Sequence, residues 1–287
     1  IVIGAIGAGS WYAGGNAGAV YLVLGSGSPS DLSLGSADAM YTGEGGHDVA
    51  GRAVDVSGDL DGDGFDDICI GAHGYSMAGY HGAAYVVLGS ASPAGSSLAS
   101  ADARFTGEAS WDQAGGSISC AGDVDNDGYD DMLIGAMGED TNGGSTGAAY
   151  LVRGGATLTS ASLASADAKY LGASAGYFAG DSVSIVGDVD SDGFDDMLIG
   201  AFGTTNADGE GNAGAAYLVL GSASPADLDL EYADARFMGE AEGDYAGGSV
   251  SGAGDVDGNG AADLLIGAYG EETAAEGAGA TYLLLSD

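Results

Sequence analysis

Apolar residues along this chain come in short blocks with the two-residue alternation of β-strands. Apolar and small polar residues alternate in Gly116–Ala121, and Met132–Ala136 is a continuous apolar run, typical of a strand covered on both faces. Gly147–Arg153 predicts a third strand and Ala168–Gly172 a short fourth one. No 3.6-residue period persists, and glycine recurs too often for stable helices. The pattern predicts an all-β unit of four short strands.

The same unit returns at intervals of about 65 residues. Four short antiparallel strands per unit predict the blades of a β-propeller, because one sheet cannot bury both of its faces alone and neighbours must stack. A Gly-Ala pair ends each second strand, where we expect blades to converge so closely that only small side chains fit. The pairs are Gly71-Ala72, Gly135-Ala136, Gly200-Ala201 and Gly267-Ala268.

The repeats divide the chain into a single array of about 4.4 units. We predict a partial blade with strands two to four at 1–45, complete blades at 46–109, 110–173 and 174–240, and a partial blade with strands one to three at 241–287. The resulting 18 strands are not a multiple of four. We therefore expect either a piece of a longer array or broken blades that another chain completes.

An acidic segment precedes the second strand in every unit that contains its first strand. The copies GDLDGDGFDD, GDVDNDGYDD, GDVDSDGFDD and GDVDGNGAAD are called loops 1 to 4, at 58–67, 122–131, 187–196 and 254–263. Counted from the first aspartate, acidic residues stand at alternate positions and a glycine stands at position 6. This arrangement surrounds a hard cation with oxygen, and the glycine permits a sharp reversal of the chain.

The register of these loops assigns carboxylate or amide oxygens to positions 1, 3, 5 and 9 and a backbone carbonyl to position 7. The predicted ligands of loop 1 are Asp59, Asp61, Asp63, Phe65 and Asp67, and those of loop 2 are Asp123, Asp125, Asp127, Tyr129 and Asp131. Those of loop 3 are Asp188, Asp190, Asp192, Phe194 and Asp196, and those of loop 4 are Asp255, Asp257, Asn259, Ala261 and Asp263. Five oxygen donors suit calcium better than magnesium, so we predict about four Ca²⁺ ions, one per loop.

The loops have two other interpretations. An EF-hand shares the D-x-D-x-D-G pattern but needs a glutamate at position 12 and flanking helices, whereas position 12 here is an isoleucine inside a strand. A solvated acidic turn that binds nothing is the other alternative. It applies most to loop 4, where Asn259 and Ala262 lower the charge.

Charge narrows the range of partners. The chain has 43 acidic and 5 basic residues, a net charge of −38, and 18 of the acids lie in the four loops. A field of this sign repels nucleic acid phosphates and anionic membranes, so neither is an expected partner. No apolar run is long enough to predict a transmembrane helix.

Catalytic chemistry has little support. The three histidines, His47, His73 and His81, show no grouping, no Ser-His-Asp set recurs in a recognisable context, and no C-x-x-C motif is present. We therefore predict that the protein is not an enzyme. Cys69 and Cys120 occupy positions that hold Leu, Val or Ile in other repeats, which favours buried core residues and leaves a disulfide as the alternative.

The acidic loop, the following IGA and the aromatic strand GAAYLVLG together resemble the FG-GAP repeats of the integrin α-subunit propeller and of bacterial-type secreted proteins. The resemblance covers essentially the whole chain. It departs from the family in two places: Phe-Gly reads Ala-Gly, as in Ala50-Gly51, and Gly-Ala-Pro reads Gly-Ala-X-Gly. The resemblance implies a seven-bladed parent and leaves the cation loops intact.

These features predict an extracellular or cell-surface calcium-binding propeller that serves adhesion or scaffolding through a protein partner, with self-assembly through its incomplete terminal blades as a variant. Structural calcium fits the calcium-rich surroundings outside cells. The alternative is a calcium-dependent carbohydrate-binding propeller, because loop aromatics stack on sugars. The candidate aromatics, for which packing between adjacent blades is the favoured interpretation, are Trp11, Tyr12, Tyr75, Tyr80, Trp111, Tyr177, Phe178 and Tyr245.

Overall fold

The computed structural model describes residues 1–8, 15–26, 31–75, 79–141, 143–209, 211–272 and 277–286. Trp11 and Tyr12 lie outside these ranges. In the described residues the chain forms five consecutive antiparallel sheets, joined by turns and four short 3₁₀ segments. No helix in these ranges has the length and apolar character needed to cross a bilayer.

The first sheet has three strands. Each of the next two sheets has four antiparallel strands and one short added strand. The strands are β1 (Val2–Ala5), β2 (Ala19–Leu22), β3 (Ala39–Thr42), β4 (Val54–Gly58), β5 (Asp67–Ala72), β6 (Ala83–Val87), β7 (Ala103–Thr106), β8 (Ser117–Ser119), β9 (Met132–Ala136), β10 (Ala148–Val152), β11 (Ala161–Ser162) and β12 (Ala168–Leu171). The remaining strands are β13 (Ser182–Gly187), β14 (Asp196–Ala201), β15 (Ala215–Val219), β16 (Leu228–Asp229), β17 (Ala235–Met238), β18 (Ala246–Gly254), β19 (Asp263–Ala268) and β20 (Ala280–Leu284). The 3₁₀ segments are Leu34–Ser36, Leu98–Ser100, Leu163–Ser165 and Leu230–Tyr232.

The predicted all-β propeller fold with antiparallel blades is confirmed. In the unit whose four strands were predicted individually, the second strand has the predicted bounds, and the other three are shorter by one to three residues. Successive strands pair as antiparallel neighbours in each sheet, as β8, β9, β10 and β12 do. The blade boundaries assigned from the sequence stay predictions.

Two short strands that sequence patterns did not predict link neighbouring blades. β11 leaves its own blade and pairs in parallel with β7, and β16 pairs in parallel with β12. A single bridge between Thr42 and Ser97 makes the same connection between the first two sheets. The second, third and fourth blades therefore each extend the outer edge of the blade before it.

The core lies between sheets rather than within one sheet. One buried cluster joins Leu133 and Tyr170 of the third sheet to Ile185 and Met197 of the fourth. Similar clusters join the first sheet to the second, the second to the third and the fourth to the fifth. Apolar burial thus holds consecutive blades face to face.

Backbones of adjacent blades make direct contact at three of the four Gly-Ala pairs, at Gly71, Gly135 and Gly200, whereas Gly267 of the last sheet has no such contact in the described residues. A methyl group added to Gly71 would overlap the carbonyl oxygen of Gly115 in the next blade. The same relation holds between Gly135 and the carbonyl of Gly180. Since the obstacle is backbone rather than a flexible side chain, only glycine fits at these points.

Candidate metal centres

The acidic loops reverse direction through two left-handed residues each. Position 6 is glycine in every loop, with φ between 91° and 100° at Gly64, Gly128, Gly193 and Gly260. Position 4 also has positive φ, and its residues are Gly62, Asn126, Ser191 and Gly258. Sequence reasoning identified position 6 and missed position 4, although Gly and Asn are residues that tolerate this conformation.

The aspartate at position 1 organises each loop. In loop 1 the Oδ1 of Asp59 accepts the backbone N–H of Asp63 at 3.0 Å, and its Oδ2 accepts that of Gly64 at 2.9 Å. The corresponding pairs of bonds recur in the other three loops. These bonds draw the chain around one carboxylate, so the side chains at positions 1 and 3 converge.

The aspartate at position 9 is buried at the end of each loop and accepts two backbone N–H groups. Asp67 is fully buried, its Oδ2 accepts the N–H of Leu60 at 2.9 Å, and its Oδ1 accepts that of Gly89 at 2.7 Å. The equivalents Asp131, Asp196 and Asp263 accept the same two kinds of N–H. Each carboxylate oxygen keeps a further lone pair that can face a cation.

Burial of these carboxyls has an electrostatic cost in the absence of a cation. It raises the pKa of Asp67 to about 6; the two hydrogen bonds oppose this shift, and the nearby charges of Asp61 and Asp59 add to it. Burial likewise raises the pKa of Asp131 to about 7 and that of Asp196 to about 6. Such groups favour either a proton or a bound cation.

The structure brings part of each predicted ligand set together. In each loop, three carboxylates offer oxygens that all lie within 4.8 Å of one another. The groups are Asp59, Asp61 and Asp67; Asp123, Asp125 and Asp127; Asp188, Asp190 and Asp196; and Asp255, Asp257 and Asp263. The other assigned ligands, Asp63, Asp131, Asp192, Asn259 and the carbonyls of Phe65, Tyr129, Phe194 and Ala261, stay predictions.

These oxygen groups fit calcium. Two oxygens on one ion can be separated by at most twice the metal–oxygen distance, which is about 4.6–5.2 Å for Ca²⁺. The oxygens of each group lie within 4.8 Å of one another, close enough to share one such ion, and the donors are all carboxylates, the hard ligands that calcium prefers. Nearby backbone N–H groups fix the carboxylates in this arrangement.

Sequence reasoning did not assign a role to the acid at position 8. The carboxylate of Asp130 in loop 2 accepts the backbone N–H of Asp59 in loop 1 at 2.7 Å. Asp195 in loop 3 does the same for Asp123 in loop 2, at 2.9 Å. Loop 4 has Ala262 at this position, and there only the backbone bond from its N–H to the carbonyl of Asp188 remains, at 2.8 Å. The repeated Asp-Asp pair was the signal available in the sequence.

Loop 2 differs from its neighbours by an adjacent cation. The Nη1 of Arg153 lies 2.8 Å from the Oδ2 of Asp125, and its Nε lies 3.1 Å from the Oδ1 of Asp167. Leucines Leu88 and Leu220 hold the equivalent place at the ends of the neighbouring third strands. Loop 2 therefore already has one positive charge beside a predicted calcium ligand.

The described loop aromatics pack on one another. Trp111 stacks on Tyr80 with ring centroids 4.7 Å apart. Phe178, Phe202, Tyr245 and Tyr269 form a continuous row whose successive centroids lie 5.0, 6.2 and 4.9 Å apart. This agrees with the packing alternative, although Trp111 remains 60% exposed.

The other two described candidate aromatics, Tyr75 and Tyr177, also contact neighbouring side chains. Tyr75 packs edge-on against Tyr85 beneath Arg104, and the Tyr177 hydroxyl lies 3.2 Å from the Oγ1 of Thr205.

Comparisons with known proteins find similarity in the parts of the chain that contain the acidic loops. Two stretches, residues 50–87 and 115–152, match the family model of the FG-GAP repeat, and each runs from the start of a blade through its acidic loop to the third strand. The match therefore includes loops 1 and 2 directly.

Two relatives extend the similarity over more of the chain. Integrin alpha-5 of Xenopus laevis is 33% identical over 179 residues, which cover 59% of this chain and 16% of that protein. Integrin alpha-4 of Xenopus laevis is 34% identical over 164 residues, which cover 53% of this chain and 14% of that protein. The matched region thus spans only between one-seventh and one-sixth of the length of these relatives.

Proposed function

We propose that this FG-GAP repeat chain, an integrin-alpha-like β-propeller array, is a non-enzymatic, extracellular calcium-binding module for adhesion or scaffolding. The observation that carries the proposal is that a cluster of three carboxylates recurs in the acidic loop of four blades. An integrin-alpha-like propeller suggests an adhesion or interaction module, and the partner in this role is another protein.

Calcium in this proposal is structural. Two like charges about 4 Å apart repel by roughly 4 kcal/mol at an effective dielectric of 20, so three or more carboxylates in one loop need a counter-ion. The raised pKa values of Asp67, Asp131 and Asp196 reflect the same unfavourable burial. Loops 1, 2 and 3 also contact the next blade, so an ion that orders one of these loops stabilises the junction between blades.

The test is calcium titration of the intact chain after chelation, with metal content measured by mass spectrometry and stability by thermal melting. We expect about four ions per chain and a marked fall in melting temperature with excess EDTA that millimolar calcium reverses. An unchanged melting curve in EDTA together with no bound calcium would remove the metal claim.

Loop 1 offers a matched pair of variants. Asp61→Ala removes a carboxylate of the oxygen group, whereas Asp66→Ala removes an exposed acid of the same loop that lies outside the group. Both change the net charge equally. We expect only Asp61→Ala to lower the calcium stoichiometry by one, and equal effects of the two variants would mean nonspecific charge attraction.

A carbohydrate-binding function is the second candidate. The observation that favours it is the exposure of Trp111, which leaves part of its ring open although it stacks on Tyr80. A glycan array with and without calcium tests it. Calcium-dependent binding that Trp111→Ala abolishes would support this candidate, and absence of binding would reject it.

Self-assembly is a variant of the leading proposal. In the described residues, the outer edges of β1 and β20 pair with no strand. Ile3 and Leu283 on these strands are 37% and 46% exposed, whereas Ile70 in an inner strand is fully buried. A strand from a longer chain or from a second copy would cover these edges. Light scattering over a range of concentrations distinguishes the two, since only a second copy gives concentration-dependent mass.

A further inference from the structure

The two cysteines of this chain meet between adjacent blades. Cys69 lies in β5, Cys120 directly follows β8, and both are fully buried in one apolar cluster. Burial raises the pKa of the Cys69 thiol, and its interaction with Cys120 adds to that shift. Both cysteines are free thiols in this structure.

Backbone contacts hold Cys120 in this place independently of the thiols. Its N–H donates to the Oδ2 of Asp55 at 2.9 Å, and Asp55 is the residue directly opposite Cys69 in the β4–β5 pair. Its carbonyl oxygen lies against Gly58 so closely that a methyl group there would overlap it. The two Cα positions are thus fixed relative to each other by hydrogen bonding and packing across the blade junction.

At other blade junctions, the positions equivalent to these two cysteines hold apolar pairs. Val2 and Val56 pack in the cluster between the first two sheets, and Leu133 and Ile185 pack between the third and fourth. Core packing alone is therefore satisfied by aliphatic residues here. A buried side chain touches about 6–12 others, so a second cysteine placed at random would be a neighbour of the first only about 2–4 times in a hundred.

We propose that Cys69 and Cys120 form a disulfide that covalently joins the second and third blades. A small disulfide such as oxidised glutathione is the oxidant. One cysteine sulfur attacks it and releases one glutathione. The second cysteine sulfur then attacks the mixed disulfide and releases the other glutathione, and the two thiol protons end on the two glutathiones. Because both thiols are buried in the folded chain, the exchange takes place while the blades dock.

The bond would stabilise the junction by restricting the unfolded chain. It closes a loop of about 50 residues, and a bond of this kind is expected to raise the melting temperature of a chain of this size by roughly 5 °C or more. The proposal does not depend on metal binding, because neither cysteine belongs to a predicted ligand set.

The test is refolding of the whole chain with calcium in a glutathione redox buffer, followed by denaturation, alkylation and mass spectrometry. We expect a monomer that has lost two hydrogens and has no alkylated cysteine, and a melting temperature that dithiothreitol lowers. The double variant Cys69→Val/Cys120→Val, which copies the Val2–Val56 pair, is the control, and its melting temperature should not respond to dithiothreitol.

If the chain does not refold, a second experiment starts from protein that is already folded. Folded, reduced protein is incubated with diamide a few degrees below its melting temperature, and the same intramolecular bond is expected. Two alkylated cysteines in both arms, or only mixed disulfides with glutathione, would overturn the proposal.

Discussion

The backbone N–H of Asp59 donates a 2.7 Å hydrogen bond to the carboxylate of Asp130, 71 residues away in the next acidic loop. In return, the N–H of Asp130 donates to the carbonyl of Asp59 at 3.3 Å. A predicted calcium ligand of one blade is therefore held by an acid of the following blade, and the same reciprocal pair recurs between Asp123 and Asp195. The cation loops form a chain of linked sites rather than four separate ones.

Asp130→Ala should weaken calcium binding in loop 1, although Asp130 belongs to loop 2. The substitution leaves the N–H of Asp59 without its charged acceptor, a loss of about 1–3 kcal/mol in the free energy of unfolding. Chemical denaturation and calcium titration measure the two effects. Asp66→Ala, at the same loop position in the preceding repeat, is the control and should change both much less; equal losses would argue against the link between loops.

Arg153→Leu should strengthen calcium binding in loop 2. Arg153 contributes a positive charge 2.8 Å from Asp125, which competes with a cation, and leucine is the residue found at the equivalent place in neighbouring blades. Because Arg153 is partly exposed, we expect a gain in affinity of up to about tenfold. Arg236→Leu in β17 removes the same charge from another sheet. If both variants gain affinity equally, net charge rather than the local ion pair is responsible.

The stability of the metal-free protein should fall as pH rises from about 4 to about 7. The folded-state pKa values of Asp67, Asp131 and Asp196 are raised to about 6, 7 and 6, whereas the ordinary value is 3.8. Over this range the folded chain holds more protons than the unfolded chain, so each carboxyl contributes stability at low pH that is lost as pH rises through its folded pKa.

The size of that loss is on the order of 3 kcal/mol per carboxyl. Calcium should reverse the trend, since its ligands must be deprotonated and binding therefore improves as pH rises. Melting curves in EDTA and in calcium at pH 4.5, 6 and 7.5 measure both trends. A metal-free protein that becomes more stable towards pH 7.5 would contradict this assignment.

Gly135→Ala should destabilise the fold by roughly 3 kcal/mol or more, because the new methyl group would overlap the carbonyl oxygen of Gly180 and force the blades apart. Gly267 is the equivalent residue of the last sheet, and its nearest neighbour, the Cβ of Ser249, would lie 3.4 Å from an added methyl group. Gly267→Ala should therefore cost less than about 1 kcal/mol. Similar losses of unfolding free energy in both variants would show that blade contact is not the reason for glycine.

Local pattern was sufficient for the four main strands of a blade, the acidic residues of the loops and the small residues at blade contacts. Alternation of apolar residues is a property of a single strand, and an unbroken apolar run predicted Met132–Ala136 with its observed bounds. Likewise, the glycine at position 6 reflects a backbone conformation that one residue adopts by itself.

Other features depend on segments that are distant in sequence. The pairing of β11 with β7 involves two residues with no pattern of their own, so only the stacking of blades creates it. The role of Asp130 appears only when the next blade places it beside Asp59.

The sequence by itself determined the strands of a repeated unit and the acidic residues of each loop, because each strand and each loop is encoded within about ten neighbouring positions. Tertiary structure alone decided which acid supports the preceding loop and that Cys69 meets Cys120. Those relations arise from the packing of one blade on the next, which brings together residues about 50 to 70 positions apart.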